Sequence, residues 1–120
     1  MRENDIKGER FMILDFKNIE ETVLPQFKGG EKDTIFRMYT DSDNKILQGK
    51  LVPGASIGVH RHETSSEAIF IIQGKGKVLF NGEYEQVEAG ICHYCPKGQE
   101  HSLINDGEED LIFFAVVPEH

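Results

Sequence analysis

Apolar residues recur along this chain in short runs, mostly at every second position, and turn-forming residues cut between the runs. A period of two marks strands with one face covered, whereas amphipathic helices repeat every 3.6 residues, and no segment shows that longer period convincingly. Residues 34–40, 45–52, 55–62 and 67–73 are predicted strands, followed by 77–80, 83–87, 91–95, 101–105 and 111–117. The breaks fall at Asp41-Ser42-Asp43-Asn44, Pro53-Gly54, Gly74-Lys75-Gly76, Pro96-Lys97-Gly98 and Asn105-Asp106-Gly107. Asn81-Gly82 predicts a two-residue hairpin, since a type I′ turn needs positive φ at both central positions. In residues 45–52, Leu47, Gly49 and Leu51 share one face. Residues 111–117 (LIFFAVV) are apolar on both faces, which predicts a strand covered once by the core and once by a neighbour or a second subunit.

The beginning is less regular. Residues 1–10 are polar and read as a loose arm, 11–16 (FMILDF) as a first strand, and 18–27 as a short helical turn stopped by Pro25. The division expected is therefore 1–30 for an N-terminal arm and first strand and 31–120 for the barrel, within one domain. About nine to ten short strands at even spacing predict an all-β sandwich or barrel.

Composition narrows the functional classes. At 120 residues, with 38% apolar and 28% charged residues, the chain is long enough for one core and too short for two. A formal net charge of −8 argues against a nucleic-acid partner, which requires a basic face, and against an anionic membrane surface. No apolar run reaches the length of a membrane span, and MRENDIKGER lacks the apolar core of a signal peptide, so a cytoplasmic location is expected. Two cysteines are too few for a disulfide framework.

Candidate chemistry centres on residues 54–74, GASIGVHRHETSSEAIFIIQG. His60 and His62 lie two apart on a predicted strand, so both project to one side. A bend over HETSS returns Glu67 beside them at the start of the next strand. Two imidazoles and a carboxylate converging on one point make a metal site that lacks a fourth ligand. A second histidine-bearing segment, 90–105 (GICHYCPKGQEHSLIN), places His101 just beyond a tight turn.

Together the two segments resemble the paired motifs of the cupin family. Gly54-(five)-His60-x-His62-(four)-Glu67-(six)-Gly74 is similar to the first, and Gly90-(five)-Pro96-x-Gly98-(two)-His101-(three)-Asn105 to the second. The separation of the motifs by residues 75–89 is that of compact single-domain bacterial members. The resemblance implies a small jelly-roll β-barrel, a metal held by His60, His62, Glu67 and His101, and a homodimer, often with exchanged N-terminal strands. Three neutral imidazoles and one carboxylate leave a divalent ion one net positive charge, and octahedral coordination leaves two positions for other ligands. Such a donor set suits Fe, Mn, Ni, Co, Cu or Zn and does not choose among them. Where relatives often carry aspartate after the glycine of the second motif, this chain has Ile91. The motif glycines and Pro96 are read as turn formers, and Asn105 as a turn tie made through backbone hydrogen bonds.

Less distinctive residues supply the remaining candidates. Cys92 and Cys95 have the CxxC spacing, but on a strand they face opposite ways, which argues against a second metal site. With Glu67 held by a metal, acid–base work would fall to Tyr39, His93 or Tyr94. Alternation puts Phe36 and Met38 on one face and Arg37 and Tyr39 on the other, without saying which is inward. Arg37 and Lys50 are the cations nearest the site for an anionic group, and Arg61 should point away from its flanking histidines. The function expected is a metal-dependent enzyme acting on a small oxygen-rich metabolite by dioxygenase, lyase or isomerase chemistry. The alternative is a non-catalytic module that binds a metabolite or the metal.

Overall fold

A computed structural model describes residues 12–120, so the polar arm of residues 1–10, and Phe11 with it, lies outside the described residues. Among the described residues ten strands follow one another: β1 (Glu21–Pro25), β2 (Asp33–Thr40), β3 (Asn44–Leu51), β4 (Ser56–Arg61), β5 (Glu67–Gln73), β6 (Lys75–Phe80), β7 (Glu83–Glu88), β8 (Cys92–Cys95), β9 (Glu100–Ile104) and β10 (Leu111–Pro118). They form two antiparallel sheets, one of six strands in the order β1-β2-β3-β10-β5-β8 and one of four in the order β4-β9-β6-β7. This is the expected all-β jelly roll. No helix among the described residues is long and apolar enough to cross a membrane.

The core fills the space between the sheets. From the larger sheet come Phe36, Leu47, Leu51, Ile69, Ile71, Leu111 and Phe113, and from the smaller Ile57, Val78, Val87 and Leu103. In β10 burial alternates residue by residue, with Leu111, Phe113, Ala115 and Val117 inward. Its outer residues Ile112, Phe114 and Val116 are half-buried, and Phe16 supplies part of the cover, its ring 5.4 Å from that of Phe114. Asn81 and Gly82 have φ of 49° and 88°, as the β6–β7 hairpin requires. Asn105 ties its turn as expected: fully buried, it donates to the carbonyls of Leu51 (2.8 Å) and Glu109 (2.9 Å) and accepts from the Gly107 amide (2.9 Å).

The structure corrects the reading of the chain before residue 27. Residues 12–15 form no strand, and the chain turns through one 3₁₀ turn at Phe16–Asn18. Asp15 causes this, because its carboxylate accepts from the Lys17 amide and the Asn18 side-chain amide, both at 3.1 Å. The helical turn expected over 18–27 is instead β1, paired only with β2. Pro25 is tolerated there because an edge strand has one face of its ladder unpaired. The break expected over residues 74–76 shrinks to Gly74, and β6 begins at Lys75.

Candidate metal centre

The four residues of the two motifs meet at one end of the space between the sheets. β4 carries His60 and delivers His62 one residue past its end, β9 carries His101, and Glu67 opens β5 of the opposite sheet. His60 and His101 are direct cross-strand partners. A register shift in β4 between Ile57 and His60 accommodates this pairing. One ligand-type atom from each of the four lies within 4.8 Å of all the others. His62 Nε2 is 2.9 Å from both Glu67 Oε1 and His101 Nε2, and His101 Nε2 is 3.0 Å from the same oxygen.

Hydrogen bonds on the far side of each ring orient these atoms. His60 Nδ1 lies 2.8 Å from the Gly58 carbonyl, which only accepts, so Nδ1 carries the proton and Nε2 presents a lone pair. His62 Nδ1 meets Ser65 Oγ at 3.0 Å, and His101 Nδ1 meets His93 Nε2 at 3.0 Å. Such outer partners fix ring orientation in metal sites. Burial, together with the neighbouring His101, holds the pKa of His60 below the usual histidine range. Burial and His101 also bring His93 down to about 4. Burial opposes ionisation of Glu67, but hydrogen bonding from His101 and His62 outweighs it and holds the carboxyl at about 2. At neutral pH the centre therefore offers an ionised carboxylate at Glu67 and a neutral imidazole at His60.

That donor set fits a divalent ion. His62 Nε2 and His101 Nε2 stand 2.9 Å apart with Glu67 Oε1 beside both, so three atoms of metal-ligand type face one point. The triangle of 2.9, 2.9 and 3.0 Å also has the right size. Neighbouring donors at right angles, each about 2.1 Å from a common centre, stand about 3.0 Å apart.

A cavity of about 390 Å³ opens from this cluster. Its rim includes Lys28, Lys45, Arg61, Glu63 and Glu119, and its deeper wall is apolar. Arg37 and Lys50 are not on it. Arg37 turns outward and donates to the carbonyls of Phe16 (3.2 Å), Lys17 (3.3 Å) and Ile19 (2.8 Å), bracing the segment ahead of β1. Arg61 directs its guanidinium to the Gly98 carbonyl and, at 3.0 Å, to Glu100. Lys45 shares the inward parity of Leu47; Lys28 sits in the 3₁₀ turn of residues 27–29 and Ser65 in a short bridge to Glu119, places that no periodic signal marks.

The acid–base candidates separate in space. Tyr39 is on the outer side of β2, where its hydroxyl donates to Asp41 at 3.0 Å. Tyr94 is 57% exposed on the outer face of β8. His93 is buried behind His101, its ring 5.6 Å from that of Phe80. None of the three lines the cavity. Cys92 is exposed and Cys95 buried, as alternation predicts, and both are free thiols. Burial, with Glu67 nearby, raises the Cys95 thiol to about 11. Iodoacetamide at pH 8 is therefore expected to alkylate Cys92 in the folded protein and to reach Cys95 only after denaturation. Peptide mass spectrometry reads the outcome, and equal labelling of the two in the native state would contradict it.

Residues 48–117 match the family described as the cupin domain, which is more than half of the chain. The chain belongs to the cupin family. An oxalate-binding protein of Thermotoga maritima is 40% identical over 68 residues, 57% of this cupin and 56% of that protein. A crystal structure of a predicted oxalate decarboxylase from the same organism superposes with a TM-score of 0.86 at 27% identity, covering 91% of this cupin and all of that chain. The tetracenomycin polyketide synthase protein TcmJ of Streptomyces glaucescens is 26% identical over 106 residues, 84% of this cupin and 70% of that protein.

Proposed function

We propose that this cupin holds one divalent transition metal through His60, His62, Glu67 and His101, and acts as a metal-dependent enzyme on a small oxygen-rich acid bound beside it. The observation that carries this reading is the triangle of His62 Nε2, His101 Nε2 and Glu67 Oε1, three atoms of metal-ligand type about 3 Å apart with the His60 ring beside them. When bound, the ion supplies a Lewis acid that polarises a coordinated oxygen. The chain supplies the rest. The cavity mouth carries Lys28, Lys45 and Arg61 against Glu63 and Glu119, so an anionic ligand meets a less acidic surface there than the net charge of −8 alone suggests. The apolar wall excludes water and strengthens the electrostatics near the metal. The name of the Thermotoga relative supports a dicarboxylate such as oxalate as one ligand.

The second reading, a binding module without turnover, is favoured by one observation. The cavity lining contains no phenol, and its only imidazoles are those of the cluster. Metal-loaded protein titrated calorimetrically with oxalate, with and without air, separates the two. Binding followed by consumption of oxalate is the expected result, and saturable binding with no consumption favours the module. Failure to take up a stoichiometric metal from Mn, Fe, Co, Ni, Cu or Zn would overturn both.

A second copy of the chain is the partner this reading includes. It docks on the outer face of the six-stranded sheet, where Phe70 is 45% and Ile72 51% exposed beside the half-buried outer residues of β10. Free Cys92 and Cys95 suit the reducing cytoplasm.

A further inference from the structure

We infer that this centre, while able to take a bare acid such as oxalate, prefers a ligand with an apolar body about the size of an aromatic ring behind its metal-binding oxygens. This rests on the metal-binding reading above and names the ligand class more closely. At about 390 Å³ the cavity falls in the range that encloses molecules of drug size. Two carboxylate groups displace on the order of three waters at about 30 Å³ each, so oxalate alone leaves most of the space as water.

That water would lie against an unsuitable wall. Across from the histidines the cavity is bounded by Phe36 and Met38 of β2, Leu47 of β3, Phe113 and Val117 of β10, and Phe27 from the turn before β2. The rings of Phe27 and Phe36 meet edge to face with centroids 5.2 Å apart. Lys45 and Lys28 are the cations on this side, and neither is buried. Water held against such a surface gains little hydrogen bonding, and an apolar group that displaces it is stabilised roughly in proportion to the area covered.

One backbone feature keeps the space open. Gly49 is the cross-strand partner of both Phe36 and Phe113. A Cβ there would overlap the Phe113 ring, with Cε2 at 2.6 Å and Cε1 at 2.9 Å. The ring therefore lies down over β3 and does not fill the cavity. A side chain at position 49 would lift it into the space a ligand ring would take.

The ligand class that matches is a 2-oxo or 2-hydroxy acid, or an enolisable diketone, bearing one aryl or similarly bulky apolar group. Protein loaded with Co²⁺ or Ni²⁺ and titrated calorimetrically with pyruvate and phenylpyruvate tests this, since the two acids share a head and differ in the ring. Phenylpyruvate is expected to bind at least about tenfold more tightly, as burial of a ring predicts. In Gly49→Ala and in Met38→Trp that ratio is expected to fall toward one; Met38 lines the cavity and is 36% exposed, so it lies outside the buried core. Equal affinities in the wild-type protein, or a ratio that neither variant moves, would overturn the inference while the metal reading stands. Absence of metal uptake would overturn both.

Discussion

The His62→Ala protein is expected to lose its divalent ion. His62 Nε2 contacts two of the other donors at 2.9 Å, so its removal takes away two edges of the donor triangle together. Altering a residue that only orients a ligand typically costs 10–100-fold in metal affinity, and loss of a ligand itself should exceed about a hundredfold. The same change appears in stability. An ion at about a hundred times its dissociation constant stabilises the native state by about 2.7 kcal/mol. In a domain of this size that raises Tm by about 10 °C. Wild-type protein should show that rise on adding metal, and His62→Ala should show almost none while keeping its β-sheet circular dichroism. Elemental analysis after gel filtration and a pair of thermal melts are sufficient. Full metal content in the variant would remove the four-residue cluster from consideration as the site.

Gly58→Ala is expected to weaken folding strongly. Gly58 lies in β4 two residues before His60, where the turn of residues 27–29 packs directly onto the strand. A Cβ at this point would overlap the Lys28 carbonyl oxygen and stand 2.7 Å from the Lys28 carbonyl carbon and 2.9 Å from that of Gly29. These are backbone atoms, so no change of rotamer relieves the overlap. The cost should reach or pass the upper end of the about 1–3 kcal/mol typical of overpacking, lowering Tm by about 10 °C. The Gly58 carbonyl also holds His60 Nδ1 at 2.8 Å, so metal affinity should fall in the same variant. A melt within about 2 °C of wild type would show that the 27–29 turn moves away freely.

Three of the four donors were legible from period and spacing, and His101 joined them through the resemblance of the second segment to a cupin motif. His60 and His62 share a face at any twist a strand adopts, and the bend before Glu67 follows from HETSS. The hairpin at Asn81-Gly82 was equally readable, its backbone being fixed by two residues. What escaped were features decided by side-chain capping or by partners distant in sequence. The apolar FMILDF suggested a strand, but the Asp15 carboxylate captures the next amides and turns the chain. ETVLP was hidden as a strand by its proline, which only an edge position excuses. Alternation paired Arg37 with Tyr39 correctly, yet the inward face was settled by burial of Phe36 against Phe27, a contact between separate elements. Ser65 and Lys28 owe their places at the site to turn geometry, and Lys28 has a φ of 56° that no pattern of hydrophobicity encodes.

The place of β10 sets the order in which such a chain can mature. Residues 111–118 form the strand between β3 and β5, joining β1-β2-β3 to β5-β8. Until they emerge during synthesis, the larger sheet exists as two pieces, each with an open edge where β10 will pair. Closing it requires contacts between residues far apart in sequence, a slow class of event. The amide of His120 then reaches the Thr64 carbonyl at 2.8 Å and the Ser66 amide donates to the Pro118 carbonyl at 3.2 Å, pinning the loop that carries Ser65 beside His62. The pocket is thus among the later parts of the molecule to take shape, and a nascent chain stalled before residue 111 presents two sticky sheet edges and an unfinished rim.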